Sequence, residues 1–189
     1  VYMLDLDDPC PLQTKVAEGA VLLPEDDLVS DLYLETIEFL ASCGYRQYEI
    51  SNFARPGYAC RHNLKYWKRK PVYGFGLGSH SFDGNTRWAN TSQMDDYLAA
   101  VEAGQNPRAW QESMDADHAL QETLFLGLRL AEGVDWKGLQ NSYGAEMLST
   151  YEDALEDWLQ QGLAQKTGDV VSLTASGMLI SNEVFQRFV

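Results

Sequence analysis

DDLVSDLYLETIEFLASCGYRQYEI, residues 26–50, is the stretch that decides the fold class. Asp26 or Asp27 can cap a helix whose apolar stripe is Leu28, Leu32, Ile37 and Leu40, and Gly44 stands where a helix-ending glycine belongs. Residues 45–50 (YRQYEI) then read as a strand. Upstream, residues 1–6 alternate with Tyr2, Leu4 and Leu6 on one face. Residues 7–24 carry Pro9, Pro11, Gly19 and Pro24 and read as a loop. Strand, long helix, strand is the grammar of an α/β sheet, most simply a parallel one.

Outward from this unit, composition bounds the function. The chain has 189 residues, 45% hydrophobic and 22% charged, which suits a folded core in one ample domain or two small ones. No apolar run approaches the roughly 18–20 residues that span a bilayer, and no basic region leads an apolar stretch at the start. The first residue, Val1, points to a fragment. Cys10, Cys43 and Cys60 are odd in number and have no metal-motif spacing, which favours a reducing, cytoplasmic setting over a disulfide framework, a zinc site or an iron–sulfur motif. Net charge is −14, yet residues 44–80 hold seven bases and one acid, Glu49, against seven bases and 27 acids elsewhere. The overall acidity argues against nucleic acid or an anionic membrane, and the basic window argues for a focused anionic ligand.

Downstream, Ser92 with Asp95 can form a capping box for a helix running to about Ala103, closed by Gly104. After Pro107 the pattern reads as short and helical. Leu120, Leu124 and Leu128 make one stripe, and Asp135 can cap a short helix bearing Trp136 and Leu139. Met147, Leu148, Tyr151, Leu155, Trp158 and Leu159 make a further core stripe. Short strands around 163–166 and 170–173 flank a Thr167-Gly168-Asp169 turn, and Thr174 can cap a last helix. The outline is winged-helix-like, with a boundary near 104–112.

The densest constellation is CRHNLKYW, residues 60–67. In a helix His62 stacks on Tyr66, with Asn63 and Trp67 on the adjacent stripe. A neutral imidazole can ligate haem iron, Tyr66 can hydrogen-bond, Trp67 can pack on a macrocycle, and Arg61 or Lys65 can pair with propionates. The simpler reading is an aromatic helix docked on a core, with His62 satisfied locally. His80, in GLGSHSF, is a candidate ligand or proton donor or a residue that orients backbone. Glu49 is a candidate at the end of a strand, or an ion-pair partner of Arg46 or Arg55; Asn52 and Arg55 share its rim. Gly76 and Gly78 belong to a glycine-rich segment that permits close backbone approach to a ligand.

As a set, YEISNFARPG (48–57), RHNLKYW (61–67) and GFGLGSHS (74–81), followed by RWAN (87–90) and LFLGLR (124–129), closely resemble the oxygen-independent coproporphyrinogen III oxidase-like family. They are most similar to its radical SAM haem-chaperone branch. The resemblance covers essentially the whole chain and implies an α/β fold: the C-terminal part of a partial (β/α) radical SAM barrel over 1–104, then a small helical winged-helix-like domain over 105–189. It implies a [4Fe–4S] cluster and S-adenosylmethionine in the parent protein, with the cluster ligands outside this chain, so the chain alone is expected to be inactive and its standing as an enzyme stays open. It implies haem as ligand, through His62, Asn63, Tyr66 and Trp67, with His62 on the iron. Glu49, Asn52, Arg55, Gly76, Gly78 and His80 are barrel-mouth candidates. The implied function is haem binding and transfer to an acceptor protein; the alternative is a coproporphyrinogen III dehydrogenase. A DNA-binding reading of 105–189 meets only five bases there, Arg108, Arg129, Lys137, Lys166 and Arg187. Truncated strands would expose a sheet edge, so self-association or dimerisation of the chain is expected.

Overall fold

The computed structural model describes residues 1–3, 6 and 9–188. Helix α1 (Pro11–Ala17) lies in the stretch expected to be a loop, and Pro11 explains it: its fixed φ suits the first helical turn, where no amide hydrogen is needed. Helix α2 (Asp26–Ser42) spans the predicted stretch, but neither Asp26 nor Asp27 caps it: Glu25 holds the N-cap position without a side-chain hydrogen bond, the two aspartates complement the positive end from within the first turn, and Gly44 closes the helix at φ +82°. Its buried face differs from expectation. Leu28 and Leu32 are half-exposed, whereas Tyr33 is buried. The Tyr33 hydroxyl donates to the Ile50 carbonyl (3.0 Å) and accepts from Gln47 Nε2 (2.8 Å), tying α2 to the strand that follows.

Strand β1 (Arg46–Glu49) pairs antiparallel with β2 (Asn52–Ala54) across a two-residue turn. This corrects the expected parallel partner. Residues 1–3 and 6 form no strand, and Leu4 and Asp5 lie outside the described residues. The turn at Ile50 and Ser51 puts a partner strand immediately at hand, and the Val1 ammonium instead donates to the Ser51 carbonyl (2.7 Å). Helix α3 (Arg61–Trp67) follows. Strands β3 (His80–Phe82) and β4 (Thr86–Asn90) form a hairpin, so the strand reaches into the end of the glycine-rich segment. The expected capping box before α4 (Met94–Glu102) does not form; Thr91 Oγ1, one residue before Ser92, accepts the Gln93 amide (3.1 Å).

Strand β5 (Arg108–Ser113) stands where helix was expected and completes the sheet β3-β4-β5. The edge of β4 supplies its ladder, a tertiary partner that overrides the weak local pattern. Helix α5 (Ala116–Gly127), capped by Asp115, carries Leu120 and Leu124, which with Leu128 just beyond it are fully buried. Then come β6 (Val134–Asp135), α6 (Trp136–Tyr143), α7 (Ala145–Ser149), α8 (Glu152–Gln160), β7 (Ala164–Thr167), β8 (Val170–Leu173), α9 (Ala175–Leu179), α10 (Ser181–Phe185) and a final 3₁₀ turn. Strand order β6-β8-β7 makes the wing. Asp135 and Thr174 cap α6 and α9 as the sequence indicates. The core gathers Leu120, Leu124 and Leu128 with Trp136, Leu155, Trp158 and Val171, and reaches back to Tyr33 and Ile50. Among the described residues no helix is long and apolar enough to cross a membrane.

Candidate functional site

Helix α3 presents its motif as the spacing requires. The Tyr66 hydroxyl lies 3.3 Å from His62 Nε2, and the two rings meet edge to face. Both side chains are exposed. Asn63, Tyr66 and Trp67 line a cleft of about 480 Å³ between α3, the β1–β2 hairpin and α5; His62 does not line it and is linked to it through Tyr66. Arg61 and Lys65 are exposed on α3 and line neither this cleft nor its neighbour. Burial pushes the Tyr48 phenol on β1 above its ordinary value, against opposing hydrogen bonds from the Cys60 backbone and the Asn63 side chain.

The floor of the cleft is polar and closed off from solvent. Glu49 is fully buried; its Oε1 accepts from the Ser51 amide (3.0 Å) and from Asn52 Nδ2 (2.6 Å). Its Oε2 faces Arg129 Nη2 at 3.8 Å and makes no hydrogen bond among the described residues. The ion-pair partner of Glu49 is therefore Arg129 rather than Arg46 or Arg55. The backbone explains the match: the Ile50 amide donates to Arg129 O (3.1 Å) and the Ala131 amide to Tyr48 O (3.1 Å), which lays residues 129–131 along β1. The Arg129 guanidinium sits 4.5 Å from the centre of the Trp67 ring. Burial lowers the Arg129 pKa and the Glu49 charge raises it, with burial the larger effect.

A second charged group fixes the C-terminal end of α3. Arg69 Nε donates to Glu122 Oε2 (2.6 Å) and Arg87 Nη2 to Glu122 Oε1 (2.5 Å), so one carboxylate on α5 holds two arginines from different loops and strands. Lys68 pairs with Glu132 at 2.6 Å. Arg69 itself has φ +47°, the left-handed region that follows a helix end.

The remaining candidates lie elsewhere. Arg55 is exposed and stacks over Tyr45 (5.2 Å), away from Glu49 and Asn52. His80 is exposed, edge to face with Trp110. Gly76 (φ +97°) offers its carbonyl to Ser79 Oγ and Asn90 Nδ2, and the Gly78 amide donates to Thr91 O, so the glycine-rich segment folds back on β4. Arg87, Glu122, Phe125, Leu126 and Arg129 also line the α3 cleft and were not singled out as site residues from the sequence. Their partners lie tens of residues away, so no local spacing flags them. Cys10, Cys43 and Cys60 are free, and among the described residues no group of three or more His, Cys, Asp and Glu side chains could hold a metal ion. The cysteines present do not fit an iron–sulfur cluster.

Residues 114–180 match the HemN C-terminal domain. The structure superposes on that of the Escherichia coli coproporphyrinogen III oxidase HemN, a radical SAM enzyme, with a TM-score of 0.68 at 19% identity, covering 88% of this chain and 42% of that one. The chain thus carries a HemN C-terminal domain and has the α/β architecture of the C-terminal part of the HemN structure. Over its whole length it is 31% identical to the haem chaperone HemW of Bacillus subtilis, covering 50% of that protein, and over 188 residues it is 33% identical to HemW of Mycobacterium tuberculosis, covering 46%. The mitochondrial radical S-adenosyl methionine domain-containing protein 1 of Bos taurus is 32% identical over 142 residues. The chain thus spans about half the length of the curated relatives it matches.

Proposed function

We propose that this chain is the haem-binding C-terminal portion of a radical SAM haem chaperone, which binds haem and passes it to an acceptor protein. The observation that carries the reading is α3: His62 stands exposed against Tyr66, which with Asn63 and Trp67 lines the cleft, so one short helix offers an accessible imidazole and the aromatic lining of a cleft. An exposed imidazole whose Nε2 meets only a tyrosine hydroxyl suits an axial ligand, because a metal can replace that single contact. Relatives at 30% identity or more that match the chain over its full length bear the name haem chaperone, whereas the likeness to HemN stands at 19%. In this reading the [4Fe–4S] cluster and S-adenosylmethionine belong to the parent protein, with their ligands outside this chain, and the protein works in the cytoplasm. The division into a barrel portion, 1–104, and a winged-helix-like portion, 105–189, is part of the same proposal; β5 is the segment that crosses it.

Titration of the chain with haemin, followed in the Soret region, tests the reading. Saturable binding that weakens about tenfold or more in His62→Ala is the expected result, since the variant removes the bond from the protein to the iron. Equal weak binding by both proteins removes His62 as the ligand.

A further inference from the structure

Beside the α3 cleft, and sharing Tyr66, Arg87 and Leu126 with it, lies a smaller one of about 270 Å³. Its polar wall is made by Arg69, Lys70, Arg87 and His80, its apolar floor by Phe82 and Leu126, and no acidic residue lines it. Glu122 sits behind this wall and spends each of its two oxygens on one arginine. One negative charge therefore serves two guanidiniums, and Lys70 adds a third cation, in a chain whose net charge is −14. Both guanidiniums also rest on the Phe82 ring, at 5.2 and 5.4 Å, so the excess positive charge is held against an apolar surface rather than dispersed in water. Arg87 is about one-third exposed and uses one Nη on Glu122, which leaves further N–H donors in a fixed plane.

We propose that this cleft is a carboxylate-recognition site for an amphipathic ligand, with Arg87 and Lys70 binding the anion and Phe82 and Leu126 receiving the apolar stem. Resting on the haem reading above, it assigns a haem propionate to Lys70 and Arg87 in place of Arg61 and Lys65. Tyr66 makes the two sites one surface: its ring lines both clefts and its hydroxyl meets His62. A charge-assisted contact of this kind is sensitive to the charge of the ligand and not to its macrocycle.

The test compares haemin with its dimethyl ester on the wild-type chain, on Lys70→Glu and on Lys137→Glu, which makes the same charge change at an exposed position of α6. Lys70 is exposed, so its replacement leaves the core intact. The expected result is tighter binding of the free acid than of the ester by wild type, a loss of roughly tenfold in haemin affinity in Lys70→Glu, and little change for the ester or in Lys137→Glu. Equal affinity of wild type for acid and ester, or equal losses in the two variants, overturns the carboxylate site while leaving haem binding intact. Failure of both ligands to bind any of the proteins overturns the haem reading and the assignment of a propionate to this cleft together.

Discussion

Arg69 is held in a left-handed conformation that costs a non-glycine residue on the order of 1 kcal/mol or more, and its guanidinium explains why it persists. Glu122, Thr123 and the Met114 sulfur all receive it. Glu122→Gln should therefore destabilise the protein by about 1–3 kcal/mol in urea unfolding, less than for a fully buried pair because Arg87 is partly solvated. Asp83 offers a different test. Its Oδ1 accepts the Asn85 (2.9 Å) and Thr86 (2.7 Å) amides in the β3–β4 turn, and these bonds hold its carboxyl below the ordinary value. A carboxylate with a depressed folded pKa stabilises the fold above its unfolded pKa, near 3.9, and that contribution fades as pH falls through the folded value. Asp83→Asn should flatten the acid limb of a pH–stability curve below about pH 4. Contacts within a few residues are legible in part: the Asp135 and Thr174 caps and the His62–Tyr66 pair follow from spacing, whereas the Ser92–Asp95 box and a cap from Asp26 or Asp27 do not form. Glu49 with Arg129 is not legible, because the pair is eighty positions apart and depends on how residues 129–131 meet β1.

At the scale of elements, the helices with a regular apolar period were read correctly and the strands less so. Strand β5 escaped because its stability comes from the edge of β4, and the parallel pairing expected between residues 1–6 and 45–50 gave way to the antiparallel β1–β2 hairpin. The glycine positions show where elements meet too closely for a side chain. A Cβ on Gly177 of α9 would sit 1.9 Å from the Leu163 carbonyl oxygen, and one on Gly133 2.1 Å from that of Val171. Gly177→Ala should lower stability by about 1–3 kcal/mol, as overpacking does, seen as a reduced midpoint in a thermal melt. Gly168, at φ +60° in the β7–β8 turn with open space around it, should pass an Asn substitution with little loss, since Asn tolerates that backbone.

Across the whole molecule, Tyr33 and Ile50 from the first third of the chain share one core with the helices and strands from α5 onward. The ion pairs from Glu49 and Glu122 cross the same seam. Unfolding should accordingly be a single transition, with tryptophan fluorescence and far-ultraviolet circular dichroism coincident in urea, and Leu124→Ala should shift both together by about 2–5 kcal/mol. Against that shared core, α3 is fastened at both ends: Trp67, Lys68 and Arg69 anchor its last turn, the Cys60 backbone and the Asn63 side chain meet the Tyr48 phenol at its first, and the side chains of Arg61 and His62 stand in solvent. A short helix pinned at both ends opens as a unit, so the Leu64 and Lys68 amides, each bonded four residues back, should exchange with solvent at similar rates. The histidine can thus change its neighbours by turning its own side chain, while the helix that carries it stays wound.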